Sequence, residues 1–159
     1  MIDNKGYRKN VGIILCNSKN ELLMCKRYKE KSWQFPQGGF KGNESAESAM
    51  YRELFEEIGL RKNDVTILGK TKDWLKYDLP KKYQRKTRNQ LCLGQKQIWF
   101  LLRLLSKDSN IDLEKSGKPE FDDWEWTSEK KPLEEVISFK KNVYINALNE
   151  LLPIIKTKI

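Results

Sequence analysis

Gly38-Gly39-Phe40-Lys41-Gly42-Asn43-Glu44-Ser45-Ala46-Glu47-Ser48-Ala49-Met50-Tyr51-Arg52-Glu53-Leu54-Phe55-Glu56-Glu57-Ile58-Gly59-Leu60 is the most informative stretch of this chain. Ala46, Met50, Leu54 and Ile58 recur every four residues, which predicts an amphipathic helix over Ser45–Ile58. Ser45 is suited to cap its start, and Gly59 stands where a left-handed residue would end it. Glu53, Glu56 and Glu57 follow the i, i+3, i+4 spacing, so their carboxylates are expected to share one face, opposite the apolar stripe. Like charges at that spacing repel by some tenths of a kcal/mol per pair. Acidic residues opposite an apolar stripe are ordinarily a solvated face. A cluster of hard oxygen donors is also what Mg²⁺ or Mn²⁺ binds, together with substrate phosphates.

Upstream, Val11–Cys16 and Leu22–Arg27 read as a hairpin around Asn17–Asn20, and Trp33–Gly39, with a proline and two glycines, reads as loop. Downstream, Val65–Lys70, Asp73–Asp78, Ile98–Leu105 and Phe121–Thr127 are expected strands. Pro132–Ile137 is an expected short helix, and Lys141–Ile155 has helical spacing. Helices are too few for a doubly wound sheet, so an α+β mixed sheet flanked by helices is expected. A length of 159 residues fits a single domain over 1–159.

Composition narrows the chemistry. There is no histidine, which excludes Ser-His-Asp and Cys-His pairs, an imidazole base and an imidazole metal ligand. Cys16, Cys25 and Cys92 lie far apart, which argues against a disulfide framework or a zinc site and for reduced thiols. The polar first ten residues and the short apolar run after them do not resemble a signal peptide, and no stretch is long enough to span a bilayer. A cytoplasmic protein with no membrane partner is expected.

The stretch Gly-x5-Glu-x7-Arg-Glu-U-x-Glu-Glu-x-Gly-U, with U apolar, matches the Nudix box at all nine specified positions. Chance agreement is on the order of 10⁻⁷ to 10⁻⁸. The chain therefore resembles the Nudix hydrolases. The resemblance implies an α/β/α sandwich, with metal ligands at Glu53, Glu56 and Glu57 and a backbone carbonyl near Gln37–Gly38. It further implies that Glu44 and Arg52 form an ion pair tying loop to helix, and that Gly38 and Gly59 are structural parts of the motif.

Gly6–Gly12, Trp33–Gly39, Gly94–Gln97, Pro119–Asp122 and Ser138–Lys140 are similar, in order, to the branch of the family that acts on RNA. That branch converts a 5′-triphosphate RNA end to a monophosphate and so exposes the transcript to decay. By this likeness Glu120 adds a metal ligand, Arg8 contacts phosphate, and Arg27 and Phe139 hold an unpaired base, with Phe139 stacking. Lys140 and Tyr77 would be further substrate contacts. In each case an ordinary surface cation or packed aromatic is the plainer alternative. Asn43 stands where the branch usually has glycine, and Lys81–Leu93 departs from it, so no contact is carried onto that segment.

From Pro80 to Lys107 there is no acid but there are eight cations, and the net charge is +9, which suits a polyanionic partner. Without histidine the general base falls to Glu53, with Glu57 and Glu120 as alternatives. Other readings are a hydrolase of dinucleoside polyphosphates such as diadenosine tetraphosphate, a non-catalytic RNA-binding regulator, and a scavenger of damaged nucleoside triphosphates.

Overall fold

The computed structural model describes residues 2–156. Met1 and 157–159, the ends of the domain expected over 1–159, lie outside the described residues. In chain order the elements are β1 (Tyr7–Cys16), β2 (Leu22–Arg27), β3 (Trp33–Gln34), β4 (Gln37–Gly39), α1 (Ala46–Ile58), β5 (Val65–Lys70), β6 (Leu75–Asp78), β7 (Lys86–Thr87), β8 (Gln90–Leu91), β9 (Gly94–Leu104), β10 (Phe121–Thr127), α2 (Lys130–Glu135) and α3 (Lys141–Lys156).

The strands alternate apolar residues to opposite faces, and each face finds its own helix. Val11, Ile13 and Leu15 of β1 join Phe100, Leu102 and Leu104 of β9 in packing against Ala49, Met50, Leu54 and Ile58 of α1. Ile14, Cys16, Trp99 and Leu101 turn the other way onto Val143, Tyr144, Ala147 and Leu151 of α3. Two cores on either side of one sheet make the α/β/α sandwich, and period-two alternation is its cause. The main order is β10-β2-β1-β9-β5, with β3 on β2, β4 on β1 and β6 on β9. β1 and β9 run parallel in register from Tyr7↔Gly94 to Cys16↔Arg103, and the other pairs are antiparallel.

Several sequence expectations are corrected: β1 begins at Tyr7 rather than Val11, β9 spans Gly94–Leu104 rather than Ile98–Leu105, and α2 spans Lys130–Glu135 rather than Pro132–Ile137. Trp33–Gly39 is not plain loop: Gln34 pairs with Cys25, and Gly38 pairs with Val11. Pro36 lies between the two short strands, where its missing N–H disturbs neither ladder. The strand expected from Asp73 begins at Leu75. β7 and β8, which form a separate two-stranded hairpin, have no apolar alternation to announce them.

Phe35, Trp99 and Tyr144 form a buried aromatic trio, with ring centroids 4.8 to 5.8 Å apart. The Tyr144 hydroxyl accepts the Phe35 N–H at 2.9 Å, so α3 anchors the β3–β4 segment. Among the described residues no helix is long and apolar enough to cross a membrane.

Candidate active site

α1 starts where the Ser48 N–H donates to Ser45 Oγ at 3.1 Å. It stops at Gly59, whose φ of 73° is a left-handed value that glycine adopts without strain. Between these caps the helix presents its glutamates, but not on the face the spacing suggested. Glu53 and Glu57 are buried, at 9 % and 4 % exposure, beside Leu54 and Ile58 rather than opposite them. The reason is angular: each glutamate precedes a stripe residue by one position, about 100° on a helix of 3.6 residues per turn. Glu56 alone reaches solvent appreciably, with its side chain 36 % exposed.

Arg52 organises this acidic cluster. Its guanidinium grips Glu44 in bidentate fashion at 2.8 and 2.9 Å, donates to the Gly39 carbonyl at 2.7 Å, and reaches Glu53 at 2.7 Å and Glu56 at 3.1 Å. The fork fixes the loop Gly39–Glu44 to the helix. It also holds the Glu44 carboxyl below the usual range. Burial pushes Glu53 upward despite Arg52. Burial pushes Glu57 well above the usual range, reinforced by the charges of Glu53, Glu120 and Glu56 and only partly offset by the Gln37 N–H.

Glu120 comes from the loop before β10 and lines the same cleft of about 440 Å³, together with Arg8, Lys41 and Lys118. Among the described residues no three acidic side chains converge tightly enough to enclose an ion. The donor set nevertheless fits a hard divalent cation. Glu57 Oε1 is buried with no hydrogen-bond partner, and burial followed by the neighbouring carboxylates raises its pKa, so a cation here would satisfy the one and offset the other.

A second cavity of about 300 Å³ lies alongside, lined by Arg27, Gln34, Gln37, Tyr77, Phe139 and Lys140 among others. Phe139 is half-buried at its wall, with ring centroids 5.8 Å from both Tyr77 and Tyr83. Tyr77 is almost wholly buried, and that burial pushes its hydroxyl up to about 12. Lys140 is buried too, at 7 % exposure, and burial, then the neighbouring Arg27 charge, brings its ammonium down to about 8. Its Nζ donates to Gln37 Oε1 at 3.3 Å, and Gln37 Nε2 donates to the Tyr77 hydroxyl at 3.3 Å. Arg27 donates to Glu30 at 3.1 Å and to Gln34 at 3.4 Å.

Every residue expected to meet metal or substrate thus falls into one of two adjoining hollows. Glu53, Glu56, Glu57, Glu120 and Arg8 line the first, while Arg27, Tyr77, Phe139 and Lys140 line the second. Gly38, Glu44, Arg52 and Gly59 frame the helix. The sheet connects the hollows. Gln95 on β9 stands between Arg8 on β1 and Tyr77 on β6, so the three occupy one row across adjacent strands. Gln95 and Tyr83 were not singled out from sequence, and of Gln37 only the backbone was, not the side chain that bridges Lys140 and Tyr77. Gln37 stands directly before Gly38, the one signal that could have found it.

The sequence profile of the NUDIX domain matches residues 6–146. RNA pyrophosphohydrolase of Pectobacterium carotovorum is 52% identical over 152 residues, covering 96% of this chain and 86% of that protein. The enzyme of the same name from Pasteurella multocida is 55% identical over 155 residues, covering 98% and 78%. Among solved structures, dihydroneopterin triphosphate pyrophosphohydrolase of E. coli superposes with a TM-score of 0.70 at 16% identity, covering 90% of this chain and 98% of that one. Ap4A hydrolase of C. elegans gives 0.64 at 17%, covering 92% and 98%, and at such identities the likeness speaks for the fold alone. A capped helix bearing the complete motif, a sheet between two helical layers and a profile match along most of the chain agree: the protein belongs to the NUDIX family of hydrolases.

Proposed function

We propose that this protein is an RNA pyrophosphohydrolase, which takes pyrophosphate from the 5′-triphosphate end of RNA and leaves a 5′-monophosphate. The observation that carries this reading is the adjacency of the two hollows: carboxylates that suit a polyphosphate-bound cation lie beside an aromatic and cationic pocket of the size of a base. The relatives named RNA pyrophosphohydrolase, about half identical over nearly all the chain, support it.

Glu53, Glu56, Glu57 and Glu120 would hold Mg²⁺ or Mn²⁺, with the backbone near Gln37–Gly38 as a further donor. When bound, such an ion neutralises phosphate charge and lowers the pKa of a coordinated water. Arg52 holds Glu53 by Oε1, which leaves Oε2 to orient the attacking water and take its proton. Arg8 meets the phosphates. Phe139 stacks on an unpaired base, with Arg27 and Lys140 at its edge and Tyr77 behind, an interaction of about 1–3 kcal/mol per base. An RNA substrate accounts for the acid-free run from Pro80 to Lys107 and suits an enzyme of the cytoplasm.

Initial rates on end-labelled 5′-triphosphate RNA and on diadenosine tetraphosphate at equal concentration test the reading. RNA is expected to be the better substrate, and a clear preference for diadenosine tetraphosphate would overturn it. Glu53→Gln and Glu57→Gln are each expected to abolish hydrolysis in a folded protein. Near-normal activity in either would remove the ligand assignment.

A further inference from the structure

The stretch Lys81–Leu93 carries the β7–β8 hairpin, which stands off the main sheet. Its corner residues Arg88 and Asn89 have φ of 51° and 65°. Asparagine takes such values readily, but an arginine there is strained by about 1–2 kcal/mol. Behind the hairpin lies a cavity of about 600 Å³, lined by Arg8, Tyr83, Arg85, Arg88 and Gln95 among others and, among the described residues, by no acidic side chain. It borders both hollows described above, sharing Arg8 with the carboxylate cleft and Leu79, Tyr83 and Gln95 with the Phe139 pocket.

Two features of its lining ask for a ligand. Among the described residues the guanidinium groups of Arg8, Arg85 and Arg88 have no ion pair or hydrogen bond, whereas Arg27, Arg52 and Arg103 are all engaged. Three unengaged guanidiniums around one cavity call for an anion. Gln95 Oε1, in the wall common to the two pockets, is buried with no donor. The volume exceeds what a phosphate fills, and Tyr83, 41 % exposed with the Lys82 ammonium 5.0 Å from its ring centroid, offers an aromatic surface among cations.

We infer that this cavity seats a further nucleotide of the single-stranded substrate, the one following the nucleotide at Phe139, with its phosphate on Arg85 and Arg88 and its base against Tyr83. The inference rests on the RNA reading above. The same nucleotide chemistry could come from the second nucleoside of a dinucleoside polyphosphate, so both sources enter the test.

The experiment measures kcat/KM for 5′-triphosphate oligoribonucleotides of two, three and six residues and for diadenosine tetraphosphate, with the wild type and with the double variant Arg85→Ser/Arg88→Ser. Both arginines are exposed, so the variant keeps its fold. The wild type is expected to gain about tenfold from two residues to six, in the range of one stacked base and its phosphate contacts. The double variant is expected to lose most of that gain, and its RNA affinity to depend less on salt, by about 0.7 in the log–log slope per arginine. Equal kcat/KM on two and six residues in the wild type would overturn the seat while leaving RNA-end hydrolysis intact. An equal loss on diadenosine tetraphosphate would assign the cavity to a small-molecule nucleoside and overturn it as well. Failure to release pyrophosphate from any of the RNAs would remove both readings.

Discussion

Gly38 and Glu53 compete for one volume: a Cβ on Gly38 would stand 1.9 Å from the carboxyl carbon of Glu53. Because β4 is paired to β1 on one side and α1 is packed into the core on the other, neither backbone is free to retreat. Gly38→Ala is therefore expected to drive the Glu53 carboxylate from its place. A displacement of about 1 Å can reduce turnover on the order of a hundredfold. Steady-state kinetics on triphosphate RNA, beside a circular dichroism spectrum, would check this; an active Ala variant would mean that Glu53 need not sit where it does.

Glu57 makes stability depend on pH in a stated direction. Its pKa is raised in the folded protein, so its contribution is full below the ordinary carboxylate value near 4.5 and is lost as pH rises toward the folded value. In chelator-treated protein the melting temperature is expected to fall between pH 5 and 8, and more steeply in wild type than in Glu57→Gln. Added Mg²⁺ or Mn²⁺ should raise it more at pH 8 than at pH 5. Parallel slopes for the two proteins in differential scanning calorimetry would contradict this.

Phe139→Ala removes a ring that touches both Tyr77 and Tyr83. A loss of about tenfold to a hundredfold in kcat/KM on RNA is expected, from the free energy of stacking one base. Turnover of a short dinucleotide should suffer much less, and equal losses on both substrates would count against the stacking role.

Tyr144→Phe deletes only the hydroxyl that accepts the buried Phe35 N–H. Leaving that donor unpaired costs about 1–3 kcal/mol, and in a protein of this size each kcal/mol lowers the melting temperature by about 2–4 °C. Thermal denaturation should register the loss; an unchanged midpoint would show that Phe35 is held by other means.

How far the sequence could be read depends on where each element takes its specification. α1 carries its own: Met50, Leu54 and Ile58 are fully buried, Ser45 caps the start and Gly59 ends it. β5 and β10 coincide with their expected ranges because apolar runs and turn residues bound them locally. β3 and β4 take their specification from partners distant in the chain, such as Asn10↔Gly39, and nothing local in Trp33–Gly39 reports it. The polar β7–β8 hairpin is equally silent. In the site, residue types were legible but burial was not: that Glu53 and Glu57 lie inside follows from their place one step from the stripe, which the motif spacing alone obscured. Tyr83 and Gln95 become visible only when three strands and a loop are brought together.

The row Arg8, Gln95, Tyr77 has a consequence of its own. Neighbouring strands in a sheet are held about 4.8 Å apart, so the first and last of these residues are set roughly two such intervals from each other. The enzyme thereby carries a ruler graduated in strand spacings, one end in the carboxylate cleft and the other in the wall of the Phe139 pocket. Changes of composition in the surface loops leave that scale unaltered, whereas a slip of one residue in β1 or β6 would turn a mark of the gauge to the far side of the sheet.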